Sequence, residues 1–164
     1  KIHILNGGLK KWIFENKPTT KDKTEIIESN YVANEKENLV VSFDQIKKNI
    51  LSKSFNVIDA RSLERFEGKV SEPRKGLRSG HIQNSFCLPF NQCINQKTGE
   101  FKNLEELREL FNQNENIEKR LDQVFTCGSG VTAAVLAYAY KMVNNDYIPK
   151  IYDGSWSEYG KYPA

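Results

Sequence analysis

Histidine and cysteine are scarce in this chain: two and three residues among 164. Cys87, Cys93 and Cys127 form no C-x-x-C pair or other ligand spacing, so the sequence gives no sign of a structural metal centre. An odd number without paired spacing points to reduced thiols rather than a disulfide framework, as in a cytosol or an organelle matrix. Long apolar runs are also missing. The longest apolar stretch lies within residues 131–143, too short to span a bilayer, and no membrane partner is expected. Nor does one sign of charge dominate. Lys and Arg number 24 against 21 Asp and Glu, leaving +3, and no basic run offers a track for nucleic acid. No signal peptide is visible, although the chain starts at Lys1, so a leader removed or left out remains compatible with it. The expected location is the cytoplasm, with a mitochondrial one as the alternative.

What is present suits one soluble domain and a little more. "KIHIL" places Ile2 and Ile4 as in a short strand, "NGG" reads as a turn, and Leu9, Trp12 and Ile13 follow at helical spacing. Residues 15–38 are polar and lack a clear period, as in a linker. "SFDQ" (42–45) is a capping-box pattern ahead of Phe43, Ile46, Ile50 and Leu51. "FNVIDA" (55–60), "SFCLPF" (85–90, ended by Pro89) and "DQVFT" (122–126) read as strands, and "PKIYDG" (149–154) as a last strand and turn. Residues 67–80 form a loop rich in charge and glycine. Asn103 with Glu106 caps a helix expected to bury Leu104, Leu107 and Phe111. Val131, Ala134, Val135, Tyr138 and Met142 share one face of a further helix, read as its core face. Strands alternating with helices predict an α/β domain with a mostly parallel central sheet flanked by helices. There is an internal echo too. "ILNGGLKKW" (4–12) aligns with "IYDGSWSEY" (151–159), an offset of 147 residues, which is a normal domain length.

Parallel sheets put functional loops beyond the carboxyl ends of their strands, and Cys127 lies just past one such end in "TCGSGVTAAV". A thiol reacts as thiolate, and at neutral pH a free cysteine is mostly protonated. A helix beginning near Gly130 offers unpaired N–H groups and the positive end of its dipole. Successive N–H groups in a tight loop make an anion nest, and Gly128 and Gly130 permit the backbone angles it needs. Hydroxyls of Ser129 and Thr132 add hydrogen bonds. Standing alone, the segment reads equally as an inert buried cysteine at a turn. Arg61 and Arg65 in "DARSLERFEG" and Arg74 in "EPRKG" add groups suited to bidentate carboxylate binding. Taken singly, each arginine reads as a solvated charge or a structural ion pair.

From about residue 39 onward, "DARSLERFEG", "EPRKGLRSGHI", "CGSGVTA" and "YDGSW" occur in an order that resembles the rhodanese superfamily, and more narrowly its two-domain 3-mercaptopyruvate sulfurtransferases. The resemblance implies a rhodanese-like catalytic domain over 39–164, a linker over 21–38, and in residues 1–20 the tail of the family's first, catalytically inactive domain. It implies that Cys127 attacks the donor sulfur and becomes a persulfide. Loop N–H groups from Gly128 through Ser129, Gly130, Val131 and Thr132 would surround it. Ser129 would relay a proton, while Arg65 and Arg74 would bind the carboxylate and ketone of the substrate. Thiosulfate-preferring relatives carry basic residues just after the cysteine. Here Gly128 and Ser129 are neutral, which favours 3-mercaptopyruvate. No cofactor is implied. The implied partners are a small-molecule sulfur donor, thioredoxin or another thiol acceptor (or cyanide), and the family's first domain. That domain also supplies an acidic residue and a histidine to the family's proton relay, which this sequence does not contain. Of the two histidines here, His81 in "SGHI" reads as structural.

Rival chemistries fit less well. A phosphatase on this fold needs an arginine six residues after the cysteine, where Ala133 stands. A Cys–His hydrolase has no second histidine near a plausible motif. A rhodanese-like binding module commonly lacks the cysteine. A persulfide carrier for a protein partner shares the first half-reaction and stays open.

Overall fold

The computed structural model describes residues 3–34, 38–113, 118 and 120–163. Four short strands, β1 (Phe55–Asp59), β2 (Ser85–Cys87), β3 (Asp122–Thr126) and β4 (Lys150–Ile151), make a parallel sheet in the order β2-β1-β3-β4. Val40 adds a parallel bridge to Ile151 at the β4 edge. The registers pair Asp59 with both Cys87 and Thr126. Three strands therefore end level, and the segments that begin at Ala60, Leu88 and Cys127 leave the sheet side by side.

Side chains alternate across a strand, and both faces here are covered. Ile58 and Phe125 join Leu107, Phe111, Leu136 and Ala137 of helices α4 (Leu104–Asn112) and α5 (Val131–Val143). On the other face, Val57 and Val124 join Ile46 of α2 (Phe43–Ser52) and Trp156 of α6 (Ser155–Tyr159). Each such fully buried large apolar side chain contributes about 1.5–3 kcal/mol relative to exposure. Two further helices are short: α1 (Gly8–Phe14) and α3 (Leu63–Phe66). A single 3-10 turn, Phe90–Cys93, follows β2 beyond Pro89. No helix of the described residues is long and apolar enough to cross a membrane.

Both expected capping boxes form. Ser42 accepts from the Gln45 N–H while the Gln45 side chain accepts from Ser42 N–H, and Asn103 and Glu106 do the same. Several expected core positions are different. In α5 the buried residues are Ala133, Leu136, Ala137 and Ala139. Val131 is 73 % exposed, and Ala134 and Tyr138 also face outward. The helix is apolar nearly all round, so its sequence offers two plausible faces. Contact with α4 and the sheet selects the alanine-rich one, which allows closer approach. In α2, Leu51 is exposed and Asn49 is buried. The Asn49 amide donates to Phe55 O (2.8 Å) and accepts from Phe55 N (3.1 Å), tying the helix to the start of β1. Leu104 is also largely exposed, while Leu107 and Phe111 are buried as expected.

The expected strand at the amino end does not form over residues 3–5, and Ile2 lies outside the described residues. Helix α1 forms but buries none of its residues. It meets the domain through polar contacts: Phe101 N donates to Asn6 Oδ1 (2.9 Å), and Lys11 pairs with Glu100. Residues 17–34 are exposed and carry neither helix nor strand.

Candidate active site

Cys127 follows β3 directly and is 2 % exposed. The chain turns over Gly128, Ser129 and Gly130 and enters α5 at Val131. Gly130 has φ +80°, and a Cβ there would overlap the Asp153 carboxylate, so glycine is required on two grounds. Gly128 lies outside the left-handed region, contrary to the expectation that both glycines serve backbone angles. Its lack of a side chain serves space instead: a Cβ would sit 3.1 Å from Arg65 Nη2 and 3.7 Å from Arg74 Nη1.

The turn aims donors at the sulfur. Ser129 N lies 3.4 Å from Cys127 Sγ and donates to it. Burial pushes the Cys127 thiol up. The Thr132 hydroxyl and the N–H groups of Ser129, Ala133 and Thr132 outweigh it, and the thiol is more acidic than an ordinary cysteine. The other two cysteines show burial without such donors. Cys87 and Cys93 are each pushed up to about 12, chiefly by desolvation.

The three arginines separate into two roles. Arg61 is 2 % exposed. Its guanidinium bonds Asp59 (Nη2–Oδ2 2.7 Å), Glu72 (Nη1–Oε1 2.9 Å) and Gly80 O (2.9 Å), and it stacks 4.4 Å from the Trp156 ring. These contacts occupy it as a structural ion. Arg65 shares Glu72 through Nη2–Oε2 (2.6 Å) and Nε–Oε1 (3.2 Å), but its side chain stays 25 % exposed and one edge reaches Gly128. Arg74 is exposed, makes no ion pair among the described residues and overhangs the same glycine. Two guanidinium groups thus converge over the turn that holds the acidified thiol.

Of the residues expected at the site, Cys127, Gly128, Ser129, Gly130 and Thr132 form the turn and its first helical contacts. Val131 opens α5 with its side chain in solvent. Ala133, absent from the expectation, supplies one of the N–H donors. His81 stacks on Phe66 with ring centroids 3.9 Å apart, and its Nδ1 lies 2.8 Å from Phe66 O, a structural arrangement.

The largest omission is the start of α6, whose residues 155–157 hydrogen-bond the cysteine loop. Trp156 N donates to Cys127 O (3.0 Å), and Ser157 donates to Gly128 O through its N–H (2.9 Å) and its hydroxyl (2.5 Å). Ser155 Oγ accepts from Cys127 N and Gly130 N. The only sequence signal is the "DGSWS" stretch itself, whose two serines carry no chemistry that spacing could reveal.

The family model described as "Rhodanese-like domain" matches residues 42–162. The chain belongs to the rhodanese family. Among rhodanese relatives, the 3-mercaptopyruvate sulfurtransferase of Homo sapiens is 35 % identical over 158 residues, covering 96 % of this chain and 52 % of that protein. The thiosulfate sulfurtransferase of Gallus gallus is 34 % identical over 158 residues, with 96 % and 53 % covered. The crystal structure of SseA from Escherichia coli, a study of 3-mercaptopyruvate sulfotransferases and their rhodanese fold, superposes with a TM-score of 0.79 at 31 % identity. It covers 96 % of this chain and 57 % of that one. The chain therefore spans about half the length of the rhodanese relatives it matches.

Proposed function

We propose that the protein is a sulfurtransferase that takes sulfur from 3-mercaptopyruvate, carries it as a Cys127 persulfide and passes it to a thiol or to cyanide. The observation that carries this reading is an acidified thiol in a ring of N–H donors beneath two convergent arginines. The names of the relatives, which include 3-mercaptopyruvate and thiosulfate sulfurtransferases, support the reaction class. Between those donors, the neutral Gly128–Ser129 pair favours the one whose charge lies away from its sulfur.

In this reaction the Cys127 thiolate attacks the donor's thiol sulfur. The carbon–sulfur bond breaks, and its electron pair passes to the pyruvate carbon as an enolate. Arg65 and Arg74 hold the carboxylate and the ketone oxygen, so positive charge faces the oxygen where negative charge grows. Ser129 relays the proton of the transferred sulfhydryl to the enolate carbon, releasing pyruvate and leaving Cys127–S–S⁻. The N–H donors that stabilised the thiolate then face the persulfide. An acceptor thiolate, from a small thiol or thioredoxin, attacks the outer sulfur and returns Cys127 to thiolate. The oxidation level thus balances within each half-reaction, and no cofactor is consumed.

The test is incubation with 3-mercaptopyruvate, followed by peptide mass spectrometry and an assay for pyruvate. The expected result is a gain of about 32 Da on the Cys127 peptide, the mass of one added sulfur, with catalytic pyruvate release when a thiol is supplied. That mass on Cys87 or Cys93, or none with pyruvate absent, would overturn the proposal. One stoichiometric burst without turnover would identify a persulfide carrier instead. A kcat/KM higher for thiosulfate than for 3-mercaptopyruvate would overturn the donor assignment alone.

A further inference from the structure

Ser155 is fully buried and is the meeting point of four polar contacts. Its hydroxyl donates to Tyr152 O (2.8 Å) and accepts from Gly130 N (3.1 Å), Cys127 N (3.2 Å) and, at the longest distance, Thr126 Oγ1 (3.3 Å). One donor hydrogen and two lone pairs are the full capacity of a serine hydroxyl, so three donors share its two acceptor sites, and the two loop amides are the nearer ones. Ser155 also has φ +49°, the left-handed region in which L residues with side chains are uncommon. The neighbouring Gly154 has φ −54°. The strained position of this Gly–Ser pair is therefore held by the residue with the side chain. Such conformations persist where the surroundings over-determine them.

The amides that Ser155 binds are those of the first and last residues of the Cys127–Gly130 turn. Fixing both ends fixes the direction of the N–H groups in between and just beyond. We infer that Ser155 is a positioning residue whose hydroxyl holds this turn in the shape that aims the Ser129, Thr132 and Ala133 amides at Cys127 Sγ, and thereby sets how readily that thiol ionises. The inference rests on Cys127 being the reacting thiol, yet its readout needs no sulfur donor.

The experiment is the pH dependence of Cys127 alkylation by iodoacetamide, mapped by peptide mass spectrometry, in the intact protein and in Ser155→Ala and Ser155→Gly. Both substitutions delete the hydroxyl. Glycine also relieves the left-handed backbone, whereas alanine does not, so the two differ in strain and agree in the lost hydrogen bonds. Loss of an ordinary hydrogen bond's worth of thiolate stabilisation should raise the inflection by about one pH unit in both variants. Turnover at neutral pH should fall by up to about tenfold and recover as pH rises past the new inflection. A Ser155→Gly protein whose Cys127 titrates like the wild type would overturn the inference, whatever its melting temperature. If Ser155→Ala does not fold, the glycine variant decides alone. Failure of the sulfurtransferase reading would look different: no persulfide in the wild type, with the alkylation profiles still measurable.

Discussion

The segment after β2 and the segment after β3 each bury a cysteine at the same edge of the sheet, with opposite results. Cys93 lies in a 3-10 turn, 0 % exposed, and is pushed up to about 12 by desolvation. Cys127 is as inaccessible, at 2 %, and is more acidic than an ordinary cysteine. Burial is common to both, so burial does not decide reactivity. The difference is what the backbone presents. Around Cys127 a left-handed Gly130 turns the chain into the start of α5, and N–H groups that a helix leaves unpaired point at the sulfur. The turn holding Cys93 presents no such ring.

The largest expected effect sharpens this contrast directly. Cys127→Ser should abolish persulfide formation and pyruvate release, while Cys93→Ser should retain most of both, measured by steady turnover with 3-mercaptopyruvate and a thiol. Loss of activity in both variants would erase the distinction. Next come the arginines over the turn. Arg65→Ala and Arg74→Ala should each lower kcat/KM by roughly 30–150-fold, the loss of about 2–3 kcal/mol of charge-assisted binding. An effect below about threefold at both would return them to surface charges. Arg61→Ala should act on stability instead, by about 3–5 kcal/mol, because Asp59 would be left buried without its partner and Glu72 with Arg65 alone. Denaturant melts compared with turnover rates separate the two outcomes.

The smallest effect is on stability against pH, and its sign differs between the two thiols. Unfolded, both ionise near the ordinary value of about 8.5. Folded Cys93 keeps its proton up to about 12. The folded state then binds more protons than the unfolded one across that window, and stability falls as pH rises. Folded Cys127 loses its proton below the ordinary value. Its contribution therefore grows as pH rises toward the unfolded value and is lost on acidification through the folded one. Melting temperatures across pH should show a shallower alkaline decline in Cys93→Ala and a shallower rise below about 8.5 in Cys127→Ala. Unchanged slopes in both would mean that the opposed environments carry no thermodynamic weight.

Much of the site was legible because its signals are local. Two capping boxes span four residues each, and both form. A cysteine after an apolar run, followed by Gly-Ser-Gly and a helix, specifies a turn with free N–H groups from nearest neighbours alone. The roles of the arginines were less legible. Arg61 and Arg65 stand four residues apart in one motif, but only the fold brings Glu72, Gly80 and Trp156 around the first and leaves the second an open edge. The buried face of α5 differs from the expected one because a helix this apolar has little polar surface to orient it.

Backbone-range chemistry in the sequence by itself determined the α/β alternation, the cysteine turn and the family, while β2 and β4 stop short of the expected spans. Packing decided the rest: which face of α5 is buried, which arginine is structural, and that Ser155, 28 residues beyond Cys127, binds its amide. The parallel sheet is the physical reason. Parallel neighbours cannot be joined by a tight turn, and β1 and β3 pair without being consecutive, so the residues that meet at the carboxyl edge are distant in the chain. Hydrogen bonds and ion pairs act only over a few ångströms, and sequence spacing carries no information about them until the strands are in register.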